Sequence, residues 1–404
     1  MSNLINRVLS GLEERRNKVL KGEVNCIPLP FRRFKDEFPG IEQGTYYLIS
    51  GATKSSKTQL TNYLFVYNTI LYSYINKDKV KPKIFYYNLE ETEEEITLRF
   101  MAFLLYTLSK IRISLTDLKS TNSDKILSEE VLDILKSDKY QNVLSYYEEV
   151  VQFMPSRNPT GIWKDIKAYA ESNGTIHKKK YTYKDDFGLD KEGEAFDYYE
   201  SNDPNEYVFI IIDHVSLLES ERGLTLRECI NKLSEYCIIF RNKYKYIPVV
   251  VQQQGMETIS LDAFKNNKIR PTMAGLADSK STGKDCTVMI GITNPYVWEV
   301  PSYLGYDVTK LKSNFRCMEI VLNRKGQSNG ICPLYFDGAC NFYSELPLPT
   351  DTDGLNKVYT ILQDQRKKNK TFISFGINKN NKKLQNKSIF SKFAALFNNL
   401  NKRK

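Results

Sequence analysis

Residues 51 to 59 read Gly51-Ala52-Thr53-Lys54-Ser55-Ser56-Lys57-Thr58-Gln59, between the apolar run Tyr46–Ser50 and a helical pattern that starts at Lys57. A strand, a polar loop and a Lys-Thr pair opening a helix is the arrangement a polyphosphate needs. Successive backbone N–H groups can curl round the anion at a helix N-terminus. Lys57 would neutralise the β- and γ-phosphates, and the Thr58 hydroxyl would hold Mg²⁺. All of residues 51 to 59 are expected to cradle ATP. One position departs from the form GxxxxGK[ST]: Ser56 stands where the second glycine belongs. A left-handed backbone there would cost a residue with a side chain about 1 kcal/mol.

Three further groups stand at the ends of apolar runs. Ile210-Ile211-Ile212-Asp213 puts a carboxylate where a buried strand ends, suited to the nucleotide's Mg²⁺. Tyr87-Asn88-Leu89-Glu90 places a glutamate in the same way, and a carboxylate there can act as general base on the attacking water. Glu91 beside it competes for that role. Val249–Gln254 ends in three amides, which can sense a γ-phosphate without adding charge.

Alternation of strands and helices must position these groups. Strands are expected at 46–50, 83–89, 150–153, 207–212, 248–252, 288–293, 318–322 and 333–336. Helices are expected at 57–74, 92–110, 158–172 and 224–243. This order predicts an α/β fold with a mostly parallel sheet flanked by helices. Residues 1–23 hold a helix with apolar positions Leu4, Ile5, Val8, Leu9 and Leu12, and the main domain is expected over 24–350. Residues 174–205 lack clear periodicity and read as a surface insertion, with a hairpin near Thr182–Gly188. Residues 351–404 are expected to form a basic tail. Within it, 365–388 read as a linker and 388–400 as an amphipathic helix carrying Ile389, Phe390, Phe393, Leu396, Phe397 and Leu400.

Composition narrows the function classes. The chain has 404 residues and a net charge of +10. Residues 365–404 hold 12 Lys or Arg and no Asp or Glu, so residues 1–364 are near neutral, with 46 basic against 48 acidic side chains. A basic tail suits a polyanion such as nucleic acid. No apolar run is long enough to span a membrane. The N-terminal residues lack a signal-peptide pattern, so a cytoplasmic setting is expected, or the host cytoplasm for a viral chain. Seven scattered cysteines and two histidines argue against a structural zinc site.

Taken in order, these elements resemble the RecA-type P-loop motor domain of DnaB-like replicative helicases, of phage type, over about residues 24–345. Ile27-Pro-Leu-Pro-Phe31 and Gly40-Ile-Glu-Gln-Gly44 resemble the segment before the family's phosphate loop. Asn88-Leu89-Glu90 followed by Arg99 resembles the segment with its catalytic glutamate. Asn158-Pro159-Thr160 matches the stretch before its Mg²⁺ aspartate, and Asp213-His214-Val-Ser-Leu217 matches that aspartate motif. Gln254 falls on the polar sensor. Gly275–Asp285 resembles the segment after the DNA-facing loop, with Ala277 where arginine is usual. Glu319–Gly326 resembles the strand and turn that carry the finger cation, here Arg324 or Lys325. Fewer than 30 residues precede the motor, so the family's N-terminal helical domain is not expected.

The resemblance implies an ATP-driven DNA helicase of a replication system. It implies a homo-oligomer of six subunits, each supplying a finger to its neighbour's nucleotide. The helix at 3–21 would pack on the adjacent subunit. Single-stranded DNA would thread the ring and be gripped by basic loops, with Arg222 in one and Lys265, Lys268 and Arg270 in another. A primase or loader protein is a further expected partner, through the tail. Two other readings remain: a RecA-like ATPase that does not unwind, and a degenerate ATPase serving as a DNA-binding scaffold.

Overall fold

Apolar runs buried on both faces belong in the interior of a layered sheet. The computed structural model describes residues 4–255 and 269–370. It contains one nine-stranded sheet. In chain order its strands are β1 Tyr47–Gly51, β2 Lys81–Asn88, β3 Val151–Phe153, β4 Glu206–Asp213 and β5 Ile247–Gln253. They are followed by β6 Val288–Thr293, β7 Phe315–Asn323, β8 Ile331–Asp337 and β9 Phe342–Glu345. The spatial order is β9-β8-β7-β6-β1-β5-β4-β2-β3. From β6 to β3 every pairing is parallel, and β7, β8 and β9 extend the sheet antiparallel.

Side-chain alternation splits the core into two layers. Tyr47 and Ile49 of β1, Ile211 of β4 and Val251 of β5 join one apolar cluster. Leu48, Ile210, Ile212 and Val250 join the other. Helices cover both faces. Ahead of these in the chain lies α1, Leu4–Leu20, which is largely exposed. The run α2 is α-helical over Lys57–Thr61 and Asn68–Ile75 and π-helical over Asn62–Tyr67. Then come α3 Glu93–Ser109, α4 Pro159–Ser172 and α5 Leu226–Tyr244. Their starts follow from local chemistry. Thr92, Asn158 and Thr225 each accept a backbone N–H of the first turn, and Glu228 completes a reciprocal capping pair with Thr225.

Two findings differ from the sequence reading, and a third concerns the expected helix at 3–21. The insertion is an extended hairpin, Gly174–Lys184 against Asp190–Ser201, longer at both ends than the turn region suggested. The supposed tail begins with a helix, α6 Thr352–Lys370, whose Leu355 and Leu362 are buried in a third apolar cluster with Tyr306, Leu311 and Phe315. The apolar stripe of α1 lies open, with Val8 and Leu9 exposed by 53% and 52%. No helix among the described residues is long and apolar enough to cross a membrane. The amphipathic segment at 388–400, Lys265 and Lys268 lie outside the described residues.

Candidate active site

Parallel pairing brings the chemical groups to one edge of the sheet. Gly51 pairs with Gln253 and Asn88 with Asp213, so the ends of β1, β5, β4 and β2 lie side by side. Carboxyl ends of parallel strands are where such sheets bind ligands. The loop from Gly51 to Ser56 rises there and turns into α2. A Cβ at Gly51 would strike the Ile292 carbonyl and lie 2.5 Å from Ser55 Oγ, so only glycine fits. Lys54 and Ser56 both have left-handed backbones, with φ of 62° and 75°. The loop is braced from outside: Asn294 Nδ2 donates to the Lys54 carbonyl at 3.1 Å and Tyr343 Oη to the Ser56 carbonyl at 3.3 Å.

Lys57 is buried under this loop, and its Nζ donates to the Ala52 carbonyl at 3.2 Å. Burial pulls its pKa down, while Asp213 and Glu90 pull it up. Asp213 is buried, and desolvation pushes its carboxyl up to about 7 against a hydrogen bond from Thr58. Glu90 and Glu91 raise it further, and Lys57 lowers it. Tyr86 Oη lies 3.5 Å from Asp213 Oδ2 and donates to Asn62 at 3.0 Å. Burial also lowers the pKa of His214 and favours its neutral ring.

The adjacent glutamates have different neighbours. Arg99 holds Glu91 with two hydrogen bonds, at 3.1 Å and 2.6 Å. Glu90 is about half exposed, and its Oε2 lies 3.7 Å from His214 Nε2. The competition left open by the sequence thus leaves Glu90 as the carboxylate that faces the cleft.

The amides also separate by strand alternation. Gln254, expected as the sensor, is spent as a brace. Its Nε2 donates to Ser50 Oγ at 2.8 Å and to the Thr272 carbonyl at 3.1 Å, and its Oε1 accepts from Thr272 N. Gln252 is buried and donates to the Ala277 and Ser279 carbonyls. Gln253 points to the other side, with Nε2 3.5 Å from His214 Nε2.

The expected DNA and finger cations fall elsewhere. Arg222 is exposed in the loop before α5. Arg270 is not free as expected: its Nε lies 2.7 Å from the buried carboxylate of Glu319. Arg324 donates to the Cys286 and Lys284 carbonyls at 3.0 Å and 2.5 Å. Lys325 donates to Thr45 Oγ1 at 2.6 Å. Both follow β7, whose Asn323 pairs with Val288, itself level with Tyr47 at the start of β1. They therefore sit at the end of the sheet opposite the phosphate loop, about 15 Å away by strand rise. Neither reaches the loop of its own chain.

The unsatisfied groups fit a magnesium triphosphate. Asp213 Oδ1 and Ser55 Oγ are buried with no hydrogen-bond partner among the described residues. Each borders the cradle, and a bound metal or phosphate would satisfy a lone carboxylate oxygen and a lone hydroxyl. Sequence reasoning gave no role to His214, Asn294, Tyr343 or Arg316, which lie beside the loop or the acids. Only Arg316 carried a signal, as a charged residue inside the apolar run Phe315–Met318.

No family model matches the sequence, and no curated protein matches it. Solved structures do. The ATPase domain of G40P is similar over 86% of this chain and all of its own, with 14% identity and a TM-score of 0.56. A DnaB-like replicative helicase, solved in a study of its interactions with primase, is similar over 86% of this chain and 68% of its own, with 13% identity and a TM-score of 0.56. The fold is that of a DnaB-like ATPase domain. Within this DnaB-like fold the parallel block carries the loop from Gly51 to Ser56, and Asn294 after β6 and Tyr343 of β9 brace it.

Proposed function

We propose that the protein is an ATP-driven DNA helicase of a replication system, acting as a ring on single-stranded DNA. The observation that carries this reading is the shared edge of Lys57, Thr58, Asp213 and Glu90, beneath a loop that keeps a phosphate-binding shape despite Ser56. Lys57 would neutralise phosphate charge. Thr58 and Asp213 would hold Mg²⁺, which when bound screens the phosphates and favours displacement. Glu90 would take the proton of the attacking water, and Gln253 would report on the γ-phosphate.

Two features support an oligomer. The exposed apolar stripe of α1 is unusual for a lone chain in water and suits burial against a second copy. Arg324 and Lys325 lie too far from their own cradle, which suits a finger acting on a neighbour. A ring of six subunits, DNA contacts through Arg222 and the basic tail, and a primase or loader partner complete the reading.

The test is ATP hydrolysis with single-stranded DNA. Stimulated hydrolysis lost in Lys57→Ala supports a motor. Hydrolysis that stays unmeasurable with DNA present rejects the enzyme reading in favour of a scaffold. Strand displacement from a forked duplex then separates a helicase from an ATPase that does not unwind.

A further inference from the structure

Strand β7 carries one arginine into the interior, apart from the lysine and acids proposed to act on ATP. Arg316 is buried, with its guanidinium 4.7 Å from the centre of the Phe336 ring. Among the described residues, none of its hydrogen-bond partners is a carboxylate. Nη1 donates to the carbonyls of Ser313 and Phe315 at 2.9 Å and 2.7 Å. The rest of the fork is aimed at the phosphate loop. Nε donates to the Ser55 carbonyl at 3.1 Å, and Nε and Nη2 both donate to Ser56 Oγ, at 3.0 Å and 2.8 Å. Burying a guanidinium without a counter-ion is costly, so a fold that retains one has a use for it.

Ser56 supplies the use. Its φ of 75° and ψ of 39° are the backbone that glycine adopts freely and a serine resists. The residue is gripped on both sides. Its hydroxyl takes two guanidinium hydrogen bonds, and its carbonyl accepts from Tyr343 Oη and from Leu60 N. The planar arginine fork suits two acceptors at once, and a lysine ammonium does not reproduce it.

We propose that Arg316 is a positioning residue for nucleotide binding, which holds Ser56 in the left-handed conformation and so lets a serine–arginine pair do the work of a bare glycine. The proposal rests on the reading that the loop binds ATP. It places a contact between sheet and loop under the cradle itself, supplied by the antiparallel extension.

The experiment is a cycle of four full-length proteins: the natural chain, Ser56→Gly, Arg316→Lys and the double variant. A fluorescent ATP analogue with Mg²⁺ reports affinity, and thermal melting reports folding. Arg316→Lys keeps the charge and loses the fork. It should weaken binding about tenfold in the natural chain, the scale of a left-handed residue no longer held. In the Ser56→Gly background the same substitution should cost at most about twofold, because glycine needs no tether. A core role for Arg316 would not be rescued from position 56. Equal losses in the two backgrounds, or no loss in the natural chain, overturn the proposal while leaving the ATP reading standing. No binding by the natural chain overturns both. If Arg316→Lys does not fold, Ser56→Ala against Ser56→Gly decides: alanine should bind about tenfold more weakly than glycine, and equal affinities overturn the tether.

Discussion

Glu90 and Glu91 show how much a neighbour decides at the scale of one residue. Glu91 is tied to Arg99, whereas Glu90 stands beside His214 and contributes to the charge around Lys57. Glu90→Gln should lower the turnover of ATP hydrolysis by about 100-fold or more and leave analogue binding nearly unchanged. Glu91→Gln should mainly lower the melting temperature, because it strips Arg99 of its partner. Steady-state hydrolysis and melting of the two variants decide between them. Arg270 gives a second prediction. Burial raises the pKa of Glu319, and Arg270 holds it down. In Arg270→Ala the carboxyl rises further, so the folded variant favours the protonated acid. Its stability is then lost as pH climbs above the ordinary carboxylate range. The deficit should be small at pH 4 and about 1–3 kcal/mol at pH 8, by urea denaturation at each pH. A deficit that shrinks with rising pH would refute the pairing. Lys57-Thr58, Asp213 and Glu90, which short local motifs picked out in the sequence, lie along one edge of the sheet. A run of three amides does not reveal which side of the strand each one faces. The phase of β5 does.

Elements were legible where periodicity was clean. The β6 strand, Val288–Thr293, matches the expected range, and α4 and α5 start at their capping residues. The antiparallel extension was less so. Arg316 and Pro333 interrupt the apolar runs of β7 and β8, and Phe342–Glu345 is short and partly polar. The α6 helix was missed for another reason. Leu355, Val358, Tyr359 and Leu362 have helical spacing, but the surrounding lysines made the segment read as the start of a solvated tail. It packs on the cluster that surrounds Phe315. Leu362 is 1% exposed, so Leu362→Ala should cost about 2–4 kcal/mol in urea unfolding. A cost near zero would place α6 outside the cooperative unit.

At the scale of the whole molecule, the two ends of the sheet have different jobs. The phosphate loop and its acids gather at the carboxyl ends of the parallel strands. Arg324 and Lys325 extend from the other end, a strand length away. On the proposed reading, a chain built this way would hold half of a hydrolytic site, and a cation from another copy would complete it. The prediction is complementation. Lys57→Ala has no working cradle but keeps Arg324. Arg324→Ala keeps the cradle and lacks the finger. Each alone should hydrolyse ATP with single-stranded DNA at a few per cent of the natural rate or less, since a finger contributes roughly 10³-fold or more. Mixed and reassembled, some junctions would pair the intact cradle of one variant with the intact arginine of the other, and activity should rise several-fold above the sum of the two. If Lys325 is the finger instead, Arg324→Ala stays active and Lys325→Ala takes its place in the mixture. A mixture no better than the sum of its parts, for both cations, would overturn the reading of a finger supplied by a neighbouring copy.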